Sequence, residues 1–167
     1  MDSTEQTPDL SIILPALNEA ASLDQLLPTL REAFPEAEVV VVNDGSQDAT
    51  VDICRRHDCR LVSNPYRMGN GAAIKRGARA ARGRYLAMMD ADGQHTAGDL
   101  ERLWTRFRSD DLDMIVGARR AKDQASLFRR LGNFVFNRLA SWMTGQKILD
   151  LTSGLRIVNA ARFREFL

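Results

Sequence analysis

Two carboxylates, Asp90 and Asp92, stand two residues apart where the apolar run 85–89 ends, and Gln94 follows at the same interval. In an extended segment, residues i, i+2 and i+4 point the same way, so three side-chain oxygens can face one hard cation. Mg2+ or Mn2+ suits such an open set. Each is commonly held by one or two carboxylates and completes its shell with water and substrate phosphates. A calcium EF-hand is the rival, because Asp90, Asp92 and Glu101 fall at its loop positions 1, 3 and 12. It fails at position 6, where a glycine is required and His95 stands, and a strand-like run precedes the loop in place of a helix. A solvated Asp-x-Asp turn remains the bland alternative.

Three further polar clusters follow apolar runs: Pro15-Ala-Leu-Asn-Glu19, Asn43-Asp44-Gly-Ser46 and Gly117-Ala-Arg-Arg120. Ligands of open parallel sheets bind beyond the carboxyl ends of the strands, so four polar clusters at such ends point to one rim. Any single cluster can be a plain polar loop, with Ser46 or Asp48 capping a helix. Known phosphate loops do not fit. The turn after the first apolar run has no glycine, as a G-x-G-x-x-G fingerprint requires; GNGAAI (69–74) ends in Ile74, and Lys75 is followed by Arg76 instead of Ser or Thr. Gly69 and Gly71 are expected to make a tight turn into an alanine-rich helix, whose N-terminus can assist an anion.

The elements that must hold these residues alternate. Apolar runs at 10–17, 38–44, 84–90 and 111–119 read as buried strands. Helical patterns cover 20–33, where Pro28 kinks or splits the run, then 48–57, 70–82 and 97–108, the last with Leu100, Leu103, Trp104 and Phe107 on one face. Residues 155–159 are again strand-like, and 126–143 is amphipathic, with arginines beside Phe, Val, Leu and Trp. This βαβ rhythm predicts an α/β fold with a mostly parallel, doubly wound sheet, in one domain over 1–167.

The 167 residues, 44% hydrophobic and 27% charged, are globular, and a net charge of +1 argues against a general nucleic-acid binder. The two cysteines, Cys54 and Cys59, have no zinc-like or framework spacing, so a reducing cytoplasm is expected. The acidic, polar start is no signal peptide, and no apolar run reaches the roughly 20 residues that span a bilayer. Work at a membrane would therefore proceed from its surface or through a part beyond this sequence. The 126–143 segment is a candidate for that contact, with packing on the domain's own core as the equal alternative.

In this order the motifs resemble family 2 glycosyltransferases of the GT-A (Rossmann-like) fold. They are most similar to the branch that makes polyprenyl-phosphate sugars, typified by dolichyl-phosphate mannosyltransferase. ILPALNEAASL resembles the opening motif, and VVVNDGSQDAT resembles V-D-D-G-S-x-D-x-T with Asn43 in place of the first Asp. NPYRMGNGAAIKRGARAARGRYLAMMDADGQH resembles the glycine turn, helix and D-x-D strand, and IVGARR and DLTSGLRI resemble the later motifs. The resemblance covers nearly the whole chain, and Asp150-Leu-Thr-Ser-Gly154 favours the polyprenyl-phosphate branch.

The resemblance implies roles. Pro15, Leu17 and Glu19 would line a nucleoside pocket, and Val42 and Asp44 would contact base and ribose. Asp90, Ala91 and Asp92 would sit at the diphosphate, with Asp90, Asp92 and Gln94 around Mg2+ or Mn2+. Arg119 would reach phosphate oxygens, so Asp92 and Arg119 would carry the catalysis. Arg129 and Asn133 would face the acceptor phosphate, with Arg130 competing for that place or a solvated helix face as the plain alternative. The implied activity is inverting transfer of a sugar from a nucleoside-diphosphate sugar (GDP-mannose or a UDP-sugar) to dolichyl or undecaprenyl phosphate, at the cytoplasmic face of a membrane. A saccharide acceptor, or a truncated binding module without activity, is the alternative. Relatives continue with further helix or membrane anchors, so 1–167 would be the catalytic domain without a C-terminal extension. A nucleotidyltransferase would open on a G-x-G-T-R-like loop, which PALNEA is not.

Overall fold

A computed structural model describes residues 7–117 and 153–167. The chain runs β1 (Leu10–Ala16), α1 (Ala20–Ala33), β2 (Glu38–Asn43), α2 (Thr50–Arg56), β3 (Arg60–Ser63), α3 (Asn70–Ala80), β4 (Tyr85–Met88), α4 (Ala97–Ser109), β5 (Met114–Val116), β6 (Arg156–Asn159) and α5 (Ala160–Arg164). The sheet order is β3-β2-β1-β4-β6-β5. β1 pairs in parallel with β2 and β4, and β2 with β3, whereas β6 lies antiparallel between β4 and β5.

β1 is a continuous apolar run because both of its faces are covered. Leu10, Ile12, Leu14 and Ala16 face one core, shared with leucines of α1, Ile53 of α2 and Leu100 and Phe107 of α4. Ile13 faces the other core, with Val40, Val42, Met88 and the alanines of α3. The result is three layers: α1, α2 and α4, then the sheet, then α3 and α5. The mostly parallel α/β architecture predicted from the sequence is the one found.

Differences are local. β3 was not anticipated, because Arg60-Leu-Val-Ser63 is short and its end residues are exposed. The strand expected over 111–119 is cut to β5 and reaches the sheet only through β6. α1 runs unbroken through Pro28, which is exposed, while Leu23, Leu26, Leu27 and Leu30 are buried around it. An interior proline costs about 3 kcal/mol, which burial of four leucines, at roughly 1.5–3 kcal/mol each, exceeds. α4 begins at a capping box, with Thr96 and Asp99 bonding each other's backbone N–H groups.

Candidate active site

The carboxyl ends of β1, β2 and β4 open onto a cleft of about 280 Å³. Pro15, Leu17, Glu19, Asp44, Asp90, Ala91 and Asp92, all predicted from the sequence, line it together. Arg67, Gly69, Asn70 and Ala73 also line it and were not anticipated as site residues. Val42 is fully buried in the core shared with α3 and does not reach the cleft. Arg119, Arg129, Arg130, Asn133 and the 126–143 segment lie outside the described residues.

The rim is assembled by loops that hold each other. Residues 18–20 are stitched to residues 46–50. The Ser46 hydroxyl accepts from Asn18 N–H at 3.0 Å, Thr50 Oγ1 from Glu19 N–H at 3.1 Å, and Asp48 Oδ2 from Ala20 N–H at 3.1 Å. The capping role foreseen for Asp48 thus exists and serves two helices, since Oδ1 also accepts from Thr50 N–H at the start of α2, at 3.0 Å. Burial alone would raise the Asp48 carboxyl; bonds from Thr50 and Ala20 outweigh it and hold the group below its usual range.

Asp44, at the end of β2, is 4% exposed and has both oxygens occupied. Oδ1 accepts from Asn64 Nδ2 at 2.6 Å and from Met68 N–H at 2.8 Å, and Oδ2 accepts from Gly69 N–H at 2.8 Å. Burial opposes the charge, but these donors, with Arg67 nearby, hold the carboxyl below its usual range. Asp44 therefore organises the 64–69 loop as well as lining the cleft. That loop ends at Gly69, whose φ of +92° suits glycine, and delivers the first residue of α3. Asn70 Nδ2 then donates to Asp90 Oδ1 at 3.3 Å. The expected glycine turn rests on Gly69 alone, since Gly71 already lies within α3.

Asp90 is half-buried and Asp92 exposed, and neither has an ion pair among the described residues. The extended run expected through Gln94 ends early. Asp92 Oδ1 accepts from Gln94 N–H at 3.0 Å, and Gly93 takes φ +78°, so the chain turns. Gln94 is exposed and does not line the cleft. No group of three or more His, Cys, Asp or Glu side chains able to hold a metal gathers among the described residues. The donor set still fits a divalent cation. Among the described residues, Glu19, Asp44, Asp90 and Asp92 line the cleft with Arg67 as the one cation. With both Asp44 oxygens engaged, Asp90 and Asp92 would supply the one or two carboxylates that such an ion commonly takes from a protein, with phosphate oxygens and water completing its shell.

The fold and this cleft define the class: an α/β protein of the GT-A type. The chain belongs to Glycosyl transferase family 2, whose family model matches residues 11–167. It is 29% identical to the dodecaprenyl-phosphate galacturonate synthase of Rhizobium johnstonii, over 96% of this chain and 50% of that protein. It is 29% identical to the undecaprenyl-phosphate 4-deoxy-4-formamido-L-arabinose transferase of Photorhabdus laumondii, over 92% of this chain and 50% of that one. The chain thus spans about half the length of these curated relatives. Among solved structures, glucosyl-3-phosphoglycerate synthase of Mycobacterium tuberculosis superposes with a TM-score of 0.75 at 21% identity, over 92% of this chain and 57% of that one. A mannosyltransferase of Pyrobaculum calidifontis, solved with GDP-Man and Mn2+, superposes with a TM-score of 0.60 at 25% identity, over 71% of this chain and 38% of that one.

Proposed function

We propose that this chain is the catalytic part of an inverting glycosyltransferase that moves a sugar from a nucleoside-diphosphate sugar to a polyprenyl phosphate. The observation that carries the reading is the pairing of Asp90 and Asp92 at the end of β4, across one cleft from Arg67 and the start of α3. Relatives whose names specify dodecaprenyl and undecaprenyl phosphate support the lipid acceptor. The donor is a GDP- or UDP-sugar, and the work is done from the cytoplasmic face of a membrane. No helix among the described residues is long and apolar enough to cross one.

In this reading Pro15 and Leu17 cover the nucleoside, and Glu19 and Asp44 bound its polar edge. Asp90 and Asp92 would hold Mg2+ or Mn2+, which as a Lewis acid neutralises the charge of the departing diphosphate. Arg67 faces the same diphosphate from the 64–69 loop, and Arg119 is assigned to it from beyond β5. A sugar hydroxyl would need a general base, but a phosphate monoester oxygen is already anionic near neutral pH. Orientation by Arg129 and Asn133 then suffices for the acceptor. A single displacement inverts the anomeric carbon.

The test offers the purified chain a UDP- or GDP-sugar with Mn2+ and either undecaprenyl phosphate or a free saccharide. Consumption of donor only with the lipid phosphate, with loss of at least about 100-fold in Asp92→Ala, is the expected result, since a Lewis acid contributes several kcal/mol. Turnover with the saccharide alone would move the assignment to a glycan-modifying transferase. Near-normal turnover by Asp92→Ala would remove the metal from the reading.

A further inference from the structure

The segment before β6 comes closer to Asp90 than any side chain could. A Cβ placed on Gly154 would stand 1.8 Å from Asp90 Oδ2, 2.3 Å from Cγ and 2.9 Å from Oδ1. The φ of Gly154 lies outside the left-handed region, so its backbone makes no demand for glycine. The three heavy atoms nearest to such a Cβ all belong to the Asp90 carboxylate.

The turn that carries Gly154 is tied to β6 and to Gly117. Ser153 is fully buried, and its hydroxyl accepts from Leu155 N–H at 3.2 Å. The Ser153 carbonyl accepts from Arg156 Nη2 at 2.7 Å, which ties the turn to the first residue of β6. Leu155 is buried in the core, and its carbonyl accepts from Gly117 N–H at 2.9 Å. On the opposite flank, Asn70 donates to Asp90 Oδ1. Asp90 is thus held between Asn70 at the start of α3 and Gly154 in the turn before β6, 84 positions apart in the chain.

We propose that Ser153-Gly154-Leu155 is a brace for Asp90, and that Gly154 is a positioning residue that sets where the carboxylate presents its oxygens to the metal–diphosphate. This rests on the reading of Asp90 as a carboxylate that faces a divalent cation. Groups that orient a metal-ligating side chain typically change affinity 10–100-fold when altered. A methyl group at 154 forces Asp90 to rotate off the braced position while the well-tied turn stays.

The experiment titrates Mn2+, with and without UDP or GDP, followed by the electron paramagnetic resonance of free Mn2+, and records Tm in EDTA. The proteins are the wild-type chain, Gly154→Ala, Asn70→Ala, Asp90→Ala and the double variant Gly154→Ala/Asp90→Ala. Gly154→Ala is expected to bind Mn2+ about 10–100-fold more weakly. Asn70→Ala should show a smaller loss in the same direction. In the Asp90→Ala background, Gly154→Ala should cost nothing further, because the atoms it would strike are gone. Should Gly154→Ala alone fail to fold while the double variant folds, the clash is located at Asp90 and the brace stands. Wild-type affinity in Gly154→Ala, or losses that simply add in the double variant, would overturn it. Absence of Mn2+ binding by the wild type with either nucleotide would instead bring down the metal reading of the cleft, and the brace with it.

Discussion

Three aspartates in one cleft do different work. Asp44 is buried and gives both oxygens to the 64–69 loop, whereas Asp92 is exposed and, among the described residues, accepts a bond only from the nearby Gln94 backbone. Asp44→Asn should therefore destabilise the fold by about 2 kcal/mol, because one amide group would face an N–H donor. Asp92→Ala should change stability by less than about 0.5 kcal/mol. Thermal melts of the two variants without metal check this contrast, and equal losses would contradict it. The asparagine also removes a pH response. The folded Asp44 carboxyl lies below its ordinary value of 3.8, so the stability it contributes is complete above that value and is lost as pH falls through the lowered one. Asp90, Ala91, Asp92, Pro15, Leu17 and Glu19 were legible because a strand end, a dyad spacing and a family motif coincide there. Arg67, Asn70 and Gly154 were not assigned to the site because their roles come from long-range approach. Nothing local marks Asn70 as a neighbour of Asp90, 20 positions away, or Gly154 as its other flank.

At the scale of elements, β1, β2 and β4 were legible as apolar runs, because burial on both faces leaves no polar positions. β3 was not, since an edge strand has less to bury. The insertion of β6 between β4 and β5 is a pairing across about 70 residues, which periodicity does not encode. What fastens these elements lies at the amino ends of the strands. The Glu38 carboxylate, at the start of β2, accepts from Ser11 of β1 at 2.6 Å, Arg60 of β3 at 2.8 Å and Arg82 N–H, beyond α3, at 2.8 Å. Burial would raise the Glu38 carboxyl, but bonds from Arg82, Ser11 and Arg60 outweigh it and hold it below 4.5, its ordinary value. Its contribution is therefore complete above that pH and is lost as pH falls through the lowered value. Glu38→Gln should cost about 1–3 kcal/mol near neutrality, the arginines being half exposed and screened. Its Tm should also fall less steeply than the wild type's on acidification. Parallel Tm–pH curves for the two proteins would show that Glu38 does not carry this acid sensitivity.

In the whole molecule, the cleft and two large stabilising clusters occupy opposite ends of the sheet. The cleft takes the carboxyl rim. The amino rim carries the Glu38 cluster and an aromatic group, in which Tyr85 at the start of β4 meets Trp104 and Phe107 of α4 edge-on, with ring centroids 5.5 and 5.4 Å away. Phe107 is 2% exposed, and a Phe→Ala change in such a core costs about 3–5 kcal/mol. That is a large part of the roughly 5–15 kcal/mol by which a domain is stable. The cost should stay at its own end, because β1 and β4, paired in parallel from Leu10↔Tyr85 to Ile13↔Met88, run between that end and the cleft. Phe107→Ala is thus expected to melt about 6–20 °C lower, at roughly 2–4 °C per kcal/mol for a chain of this size. Well below that temperature it should bind UDP or GDP with Mn2+ as the wild type does. A parallel loss of nucleotide affinity at low temperature would mean that the two rims are coupled through the sheet, and that the frame is less rigid than its strand pairing implies.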